Sequence, residues 1–335
     1  MVSLSVLFVG GTGEISWSCV HEAVRKGFDV TVLNRGRSGE RLPLRVKHID
    51  CDFTDDAVYR AAVEQGFDIV CQFLVFHPEQ LQRDIDAFRN KVGQYVFIST
   101  ASAYAKPVSR VPIVETTPLV NPYWEYSRRK AACEQLLQAE KALPFTIVRP
   151  SHTIRTRFPT AMSEGDTALH RMLANKPIIV PGDGAALWTL TRSEDFAVPF
   201  VGLFGKSAAI NRDFHITSDH AWPWDMIYTT IGSLLGVEVD LVHVPTDTLV
   251  RFREEWRGPL LGDKAYSVMF DNAKVKSVAG DFTCESDLAK LLRGPFEHWL
   301  DKGGPSGLQP SEELDALFDK LVAAQRRVKP KVHAL

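Results

Sequence analysis

Tyr126 and Lys130 stand four residues apart in the stretch "YSRRK". On a helix that spacing puts both side chains on one face. A lysine beside a tyrosine hydroxyl stabilises the phenolate and lowers a pKa that is ordinarily about 10. Tyrosine then serves as an acid or base near neutral pH. Thr100, in "FISTASAY", adds a hydroxyl that can orient a reacting alcohol or carbonyl, and Ser102 offers a second one.

A glycine-rich turn lies upstream. Gly10-Gly11-Thr12-Gly13-Glu14-Ile15-Ser16 follows the apolar run Ser5–Val9 and opens an amphipathic stretch. A glycine at position 10 permits a tight turn, and one at 13 lets backbone N–H groups approach a pyrophosphate at a helix N-terminus. The third position calls for a small residue, and here it is Ser16. Gly10, Gly11, Thr12, Gly13, Glu14 and Ile15 are therefore expected to line a dinucleotide site. A carboxylate at the end of the second strand would hold the ribose diol of NAD. The sequence has "LNRGRS" instead, with Asn34, Arg35 and Arg37. Nothing there repels a 2′-phosphate and two guanidiniums can grip one, which tilts the expected cofactor from NAD to NADP. In "DFTD", Asp52 can accept from the adenine amino group with the backbone at Phe53 assisting, while Asp55 caps the next helix. Lys130 is also placed to hold the ribose next to a nicotinamide.

These residues need a scaffold that brings strand ends together. Apolar runs at Ser5–Val9, Val30–Leu33, Arg45–Ile49, Ile69–Phe73, Tyr95–Ile98 and Phe145–Val148 predict strands. Helical patterns at Ile15–Lys26, Asp55–Gln65, Glu79–Asn90 and Tyr126–Ala139 fall between them. Unbroken apolar strands alternating with helices indicate a parallel sheet covered on both faces. The expected fold class is α/β: a Rossmann-type, doubly wound parallel sheet with a smaller mixed C-terminal substrate lobe. Residues 1–150 form the dinucleotide-binding domain in this reading. Residues 151–335 form mainly the substrate lobe, with about 185–217 returning to the sheet. A last amphipathic helix covers Ser311–Arg327 with Ser311 as its N-cap, and "RRVKPK" beyond it reads as a solvated tail.

The bulk properties exclude several classes. The chain has 335 residues, 45% hydrophobic and 24% charged, so it can bury a core and is not a disordered polymer. Its net charge of −2 leaves no general footprint for nucleic acid. Five scattered cysteines, Cys19, Cys51, Cys71, Cys133 and Cys284, have no metal spacing and suit a reduced compartment. The N-terminal apolar run stops at Gly10 without a basic leader. No apolar run reaches the about 20 residues needed to span a bilayer. The expected location is cytoplasmic, with no metal and no membrane partner.

The stretches "GGTGEIS", "DFTD", "ISTASAY", "ETTPLVNPYWEYSRRKAACEQ", "TIVRPSHT" and "GDGAALWTLTRSEDFA" occur in that order over most of residues 4–200. In them the chain resembles an extended, atypical short-chain dehydrogenase/reductase of the NAD-dependent epimerase/dehydratase family. The resemblance implies Tyr126 as acid/base, Lys130 as its partner and Thr100 as the substrate-orienting hydroxyl. It also implies that Arg149–His152, with Pro150 and His152, lies beside the nicotinamide, and that the chain forms a homodimer through the helices flanking the fifth strand. Three departures stand out. Ser16 replaces the third glycine. Phe73 and Phe76 in "QFLVFHP" stand where a small alanine-rich turn is usual, so they crowd or reshape the cofactor pocket. Trp188 stands where sugar-nucleotide enzymes carry an arginine for a diphosphate; it can stack on a sugar or base, or fill core.

The expected activity is hydride transfer at a secondary alcohol or ketone of a sugar or sugar-like substrate, with epimerisation foremost. Elimination of water is disfavoured, because Ala101 and Ser102 follow the threonine where dehydratases carry carboxylates. Alternatives are an NADPH-dependent reductase that exchanges cofactor and, from another class, an RNA-binding protein. For the last, the atypical branch resembles chloroplast stem-loop RNA-binding proteins, and Arg128, Arg129 and Lys130 form a basic cluster. Ser102, His152 and Trp188 complete the candidate substrate contacts beside Thr100.

Overall fold

Strand residues that are apolar on both sides must be covered on both faces, and the first strand shows how. In the computed structural model, which describes residues 3–327, β1 (Ser5–Val9) is buried from Val6 onward. Val6 and Phe8 enter one core, and Leu7 and Val9 enter another on the opposite face. The same alternation recurs in β4 (Ile69–Gln72) and β5 (Gln94–Ile98). There Ile69, Cys71, Val96 and Ile98 face the first core, and Val70, Tyr95 and Phe97 the second. Period-two side-chain geometry thus builds two cores from one sheet.

With β2 (Asp29–Asn34), β3 (Lys47–Asp50), β6 (Phe145–Pro150) and the strand Arg212–Ile216, they form a seven-stranded sheet. Its order is Arg212–Ile216, β6, β5, β4, β1, β2, β3. All neighbours pair in parallel. Strand order reverses between β1 and β4, and such a switch point opens a crevice at the strands' carboxyl ends. Gly10 and Phe73 follow those two strands directly.

Four helices connect the early strands: α1 (Ser16–Arg25), α2 (Asp56–Val63), α3 (Pro78–Phe88) and α4 (Glu125–Ala139). Asp55 caps α2, its carboxylate accepting from the N–H groups of Ala57 and Val58. The third strand begins two residues later than Arg45 and lies at the exposed edge, where "KHID" carries little apolar signal.

The chain divides into two compact units. The first runs to Arg155, then takes up Thr189–His220 and Val268–Glu285; Val275 and Phe282 of that last segment enter the same core as Val6. The second contains Thr156–Trp188, Ala221–Ser267 and the chain from Ser286. There Ile178–Pro181 pairs in parallel with Leu241–Val244 over a core that includes Trp256, Leu260 and Phe318. Arg171 is fully buried in this unit and bridges Asp315 and Asp319 of the helix Glu312–Arg327. Ser311 Oγ accepts the Leu314 N–H at that helix's start. The part of "RRVKPK" beyond Arg327 lies outside the described residues.

Among the described residues no helix is long and apolar enough to cross a membrane. No group of three or more His, Cys, Asp or Glu side chains among them could hold a metal, and the five cysteines are free.

Candidate active site

The first unit contains a cavity of about 870 Å³ at the carboxyl ends of the strands. Its floor is the glycine-rich turn. Gly10 adopts φ +81°, a left-handed conformation that favours glycine, and its N–H bonds the Leu33 carbonyl at 2.9 Å. A Cβ on Gly11 would sit 2.7 Å from both methyls of Val32, so this turn lies against the sheet only without a side chain. Thr12, Gly13, Glu14 and Ile15 complete the wall up to the N-terminus of α1. A helix N-terminus presents unpaired N–H groups and a positive dipole end, which favour an anionic ligand. The buried Ser16 turns its hydroxyl back, and Oγ accepts the Gly13 N–H at 3.0 Å. Glu14 Oε2 accepts the Arg155 N–H at 2.9 Å, tying the turn to the chain after β6.

Asn34, Arg35, Arg37 and Ser38 line the end of the cavity next to β2. Asn34 Oδ1 accepts from the Gly36 N–H and lies 2.8 Å from His48 Nε2. The half-exposed Arg35 guanidinium is 3.9 Å from Asp52. The Thr54 hydroxyl and N–H, with help from Arg35, hold the Asp52 carboxyl below the usual range. Phe53 is packed edge-on to Tyr59, and the Arg83 guanidinium lies 4.1 Å over its ring. Arg83 also donates to the Phe53 carbonyl at 2.8 Å, so α3 props the loop from behind.

Thr100, Tyr126 and Lys130 line the same cavity. Thr100 lies two residues beyond the end of β5, and Tyr126 sits in the first turn of α4. Lys130 is 1% exposed. Its ammonium donates to the carbonyls of Val75 (2.6 Å) and Ile98 (2.7 Å) and lies over the rings of Phe76 and Phe97. Burial lowers its pKa to about 8. The Tyr126 ring contacts Trp124 and Phe76. Phe73 and Phe76 both line the cavity, and Phe73 stacks on Phe8. Gln80 fixes the loop that carries Phe76, its Oε1 accepting the N–H groups of Phe76 and His77. Pro150, the last residue of β6, and Ser151 after it form the adjoining wall.

Three expected contacts lie off this cavity. His152 begins a short strand, His152–Ile154, that pairs with Leu190–Arg192. Ser102 sits behind Thr100, with its hydroxyl 2.9 Å from Thr100 Oγ1. Trp188 belongs to the second unit, where it is 3% exposed and stacks on Trp224 with ring centroids 5.5 Å apart. Of the readings open for Trp188, this packing matches core filling.

The sequence reading passed over Ser38, Thr54, Gln80 and Ser99, all of which line the cavity. Gln80 had a local signal, the glutamine at the third position of a helix that starts with proline. Ser99 had none, since its hydroxyl bonds Glu134, which forms a buried ion pair with Arg149 at 2.6 Å.

A sequence profile described as "NAD dependent epimerase/dehydratase family" matches residues 6–216. A 2'-dehydrokanamycin reductase from Streptomyces kanamyceticus is 26% identical over 251 residues, which cover 73% of this chain and 70% of that protein. The chloroplast stem-loop binding protein of 41 kDa b from Arabidopsis thaliana is 26% identical over 253 residues, or 71% of this chain and 65% of its own, just under two thirds. Among solved structures, a UDP-glucose 4-epimerase from Bifidobacterium longum in complex with NAD+ and UDP has a TM-score of 0.70 at 17% identity, with 90% of this chain and 99% of that one covered. That last likeness is one of fold. The profile match runs from the first strand of the sheet to its last, and the chain belongs to the NAD dependent epimerase/dehydratase family.

Proposed function

We propose that the protein catalyses hydride transfer at a secondary alcohol or ketone of a sugar or sugar-like substrate, with Tyr126 as acid/base. The observation that carries this is that Thr100, Tyr126 and the buried Lys130 line one cavity with Gly10–Gly13. A bound nicotinamide dinucleotide would supply the hydride acceptor and donor. The cavity fits such a group: Gly11 admits no Cβ, the N-terminus of α1 faces the turn, and Asn34 and Arg35 stand at the far end.

The chain's own residues then have distinct tasks. Thr100 orients the substrate oxygen, and Tyr126 gives or takes its proton. Lys130 keeps a positive charge near the phenol; two of its three N–H donors are held by carbonyls and one remains. Pro150 and Ser151 form the nicotinamide side of the reading, and Asn34, Arg35 and Arg37 favour NADP at the other side. Epimerisation is the first form to test. Cofactor-exchanging reduction is the second reading, favoured by the two guanidiniums after β2. Trp188 supplies no guanidinium for a diphosphate, which weighs against a nucleoside-diphosphate substrate, while the Lys264 ammonium 5.7 Å over its ring is the cation at that position.

The test is to denature protein purified without added nucleotide and identify what is released. Stoichiometric NAD supports an epimerase that retains its carrier. Empty protein that binds NADPH tightly and NADH weakly supports the reductase. Empty protein that binds neither, but retains RNA in a salt-dependent way, overturns both. Tyr126→Phe is expected to lower kcat by at least about 100-fold with nucleotide binding intact; unchanged kcat removes Tyr126 from the mechanism.

A further inference from the structure

Three hydroxyls stand in line behind the cavity wall. Thr100 Oγ1 is 2.9 Å from Ser102 Oγ, which is 2.7 Å from Ser127 Oγ. Their residues are 9%, 5% and 0% exposed. Only Thr100 reaches the cavity. Ser102 is fixed in place by two further bonds: its N–H donates to Thr100 Oγ1 at 3.2 Å, and its carbonyl accepts from Asn121 Nδ2 at 2.7 Å.

A hydroxyl carries one proton and accepts at two lone pairs. Thr100 Oγ1 already accepts the Ser102 N–H. A second donor from inside the protein would fill its remaining lone pair and leave its own proton for the cavity. We propose that Ser127 and Ser102 are positioning residues that do this. Ser127 donates to Ser102, Ser102 donates to Thr100, and Thr100 donates to the substrate oxygen. The inference rests on the reading of Thr100 and Tyr126 as the reacting pair. It adds a direction to the Thr100 hydroxyl and a reason for a serine next to Tyr126. Ser127 lies in the same turn of α4 as Tyr126, so the line also ties the end of β5 to the helix that carries the acid/base. Ser102, which the sequence offered as a substrate contact, acts in this account through Thr100.

Neutron diffraction from crystals exchanged into D2O reads the direction directly, without a known substrate. The expected map places the Ser127 deuteron toward Ser102, the Ser102 deuteron toward Thr100 and the Thr100 deuteron toward the cavity. A Thr100 deuteron lying between Thr100 and Ser102 overturns the proposal. Ser102→Ala and Ser102→Thr provide the second readout. A purely structural role would leave the Thr100 deuteron where it is in both. The proposal expects its occupancy toward the cavity to fall in Ser102→Ala, where the freed Thr100 lone pair can take a donor from cavity water and the hydroxyl loses its fixed direction, and to recover in Ser102→Thr. If Ser102→Ala does not fold, Ser127→Ala replaces it, with the Ser102 deuteron as the readout: it is expected to stay directed at Thr100, and a Ser102 deuteron that changes direction between wild type and Ser127→Ala overturns the line, because only a Ser102 that donated to Ser127 loses its acceptor there. Assays of Tyr126→Phe separate the two readings. A reversed map with an inactive Tyr126→Phe overturns the hydroxyl line alone, whereas the expected map with a fully active Tyr126→Phe overturns the catalytic assignment on which it rests.

Discussion

At the scale of single residues, Lys130 carries a cost that its position explains. Its ammonium is almost fully buried, and desolvation brings its pKa to about 8. Unfolded lysine titrates near about 10.4. Between those values the unfolded chain binds the proton and the folded one does not, so this group makes stability rise with pH across that window. On the proposed mechanism activity runs the other way, because the phenol of Tyr126 loses the charge of Lys130. We expect kcat to fall as pH passes about 8, and Lys130→Met to lose most activity at every pH. The melting-temperature difference between wild type and Lys130→Met should grow from pH 8 to pH 10; a flat difference shows that Lys130 is not the titrating group.

Asp84 gives the opposite sign. It is fully buried on α3, where its carboxylate accepts from Tyr95 OH on β5 and Gln72 Nε2 on β4. Burial pushes its pKa up to about 6 against the pull of those bonds. The folded state therefore holds a proton that the unfolded state releases near about 3.9. This contribution is full below that value and is lost as pH rises through about 6. Asp84→Asn, neutral at all pH, is expected to melt above wild type at pH 8 and to lose that advantage at pH 4. Equal melting differences at the two pH values refute the assignment.

At the scale of elements, the start of α1 shows how a substitution changes a turn. The Ser16 hydroxyl occupies the Gly13 N–H, a donor that the turn would otherwise point toward an anion. Ser16→Gly releases it. Nucleotide is expected to bind about three- to tenfold more tightly, the effect of one hydrogen bond, while the helix loses up to about 1 kcal/mol of stability. Calorimetric titration of both proteins checks this, and unchanged or weaker binding shows that the N–H does not serve the ligand. The elements differ in how far the sequence reveals them. Strands β1, β4 and β5 were legible because burial on both faces demands unbroken apolar runs. The edge strand β3, polar and exposed, was displaced by two residues for want of that signal. The glycine turn and the Tyr126/Lys130 pair were legible because each is a short local pattern. The hydroxyl line was not, since Ser102 and Ser127 are 25 positions apart and meet only when β5 packs beside α4. Nor could the sequence say that Trp188 turns inward onto Trp224, a contact across 36 positions.

At the scale of the whole molecule, the even charge balance leaves association to local surfaces. The homodimer implied by the resemblance would use α3 and α4. Their exposed residues are Glu79, Gln82, Asp86 and Arg89 on one, and Glu125, Arg128, Arg129, Gln135 and Gln138 on the other, with Ala139 at the end. A dimer joined through such a face depends on charge pairing, which salt screens. Sedimentation equilibrium is expected to show dissociation as salt rises from about 0.1 M, where the Debye length is about 10 Å, to about 0.5 M, where it is shorter. A salt-insensitive dimer would place the interface elsewhere.

The path of the chain has a consequence at the level of the gene. The polypeptide passes between its two units five times, after Arg155, Trp188, His220, Ser267 and Glu285. A lineage cannot exchange the second unit by one recombination event; three separate stretches of coding sequence must change together. Nor does a stop codon ahead of Val275 spare the first unit, because Val275 and Phe282, far past the glycine turn, fill its core. The second unit therefore changes more readily by point mutation within its three stretches than by shuffling whole modules.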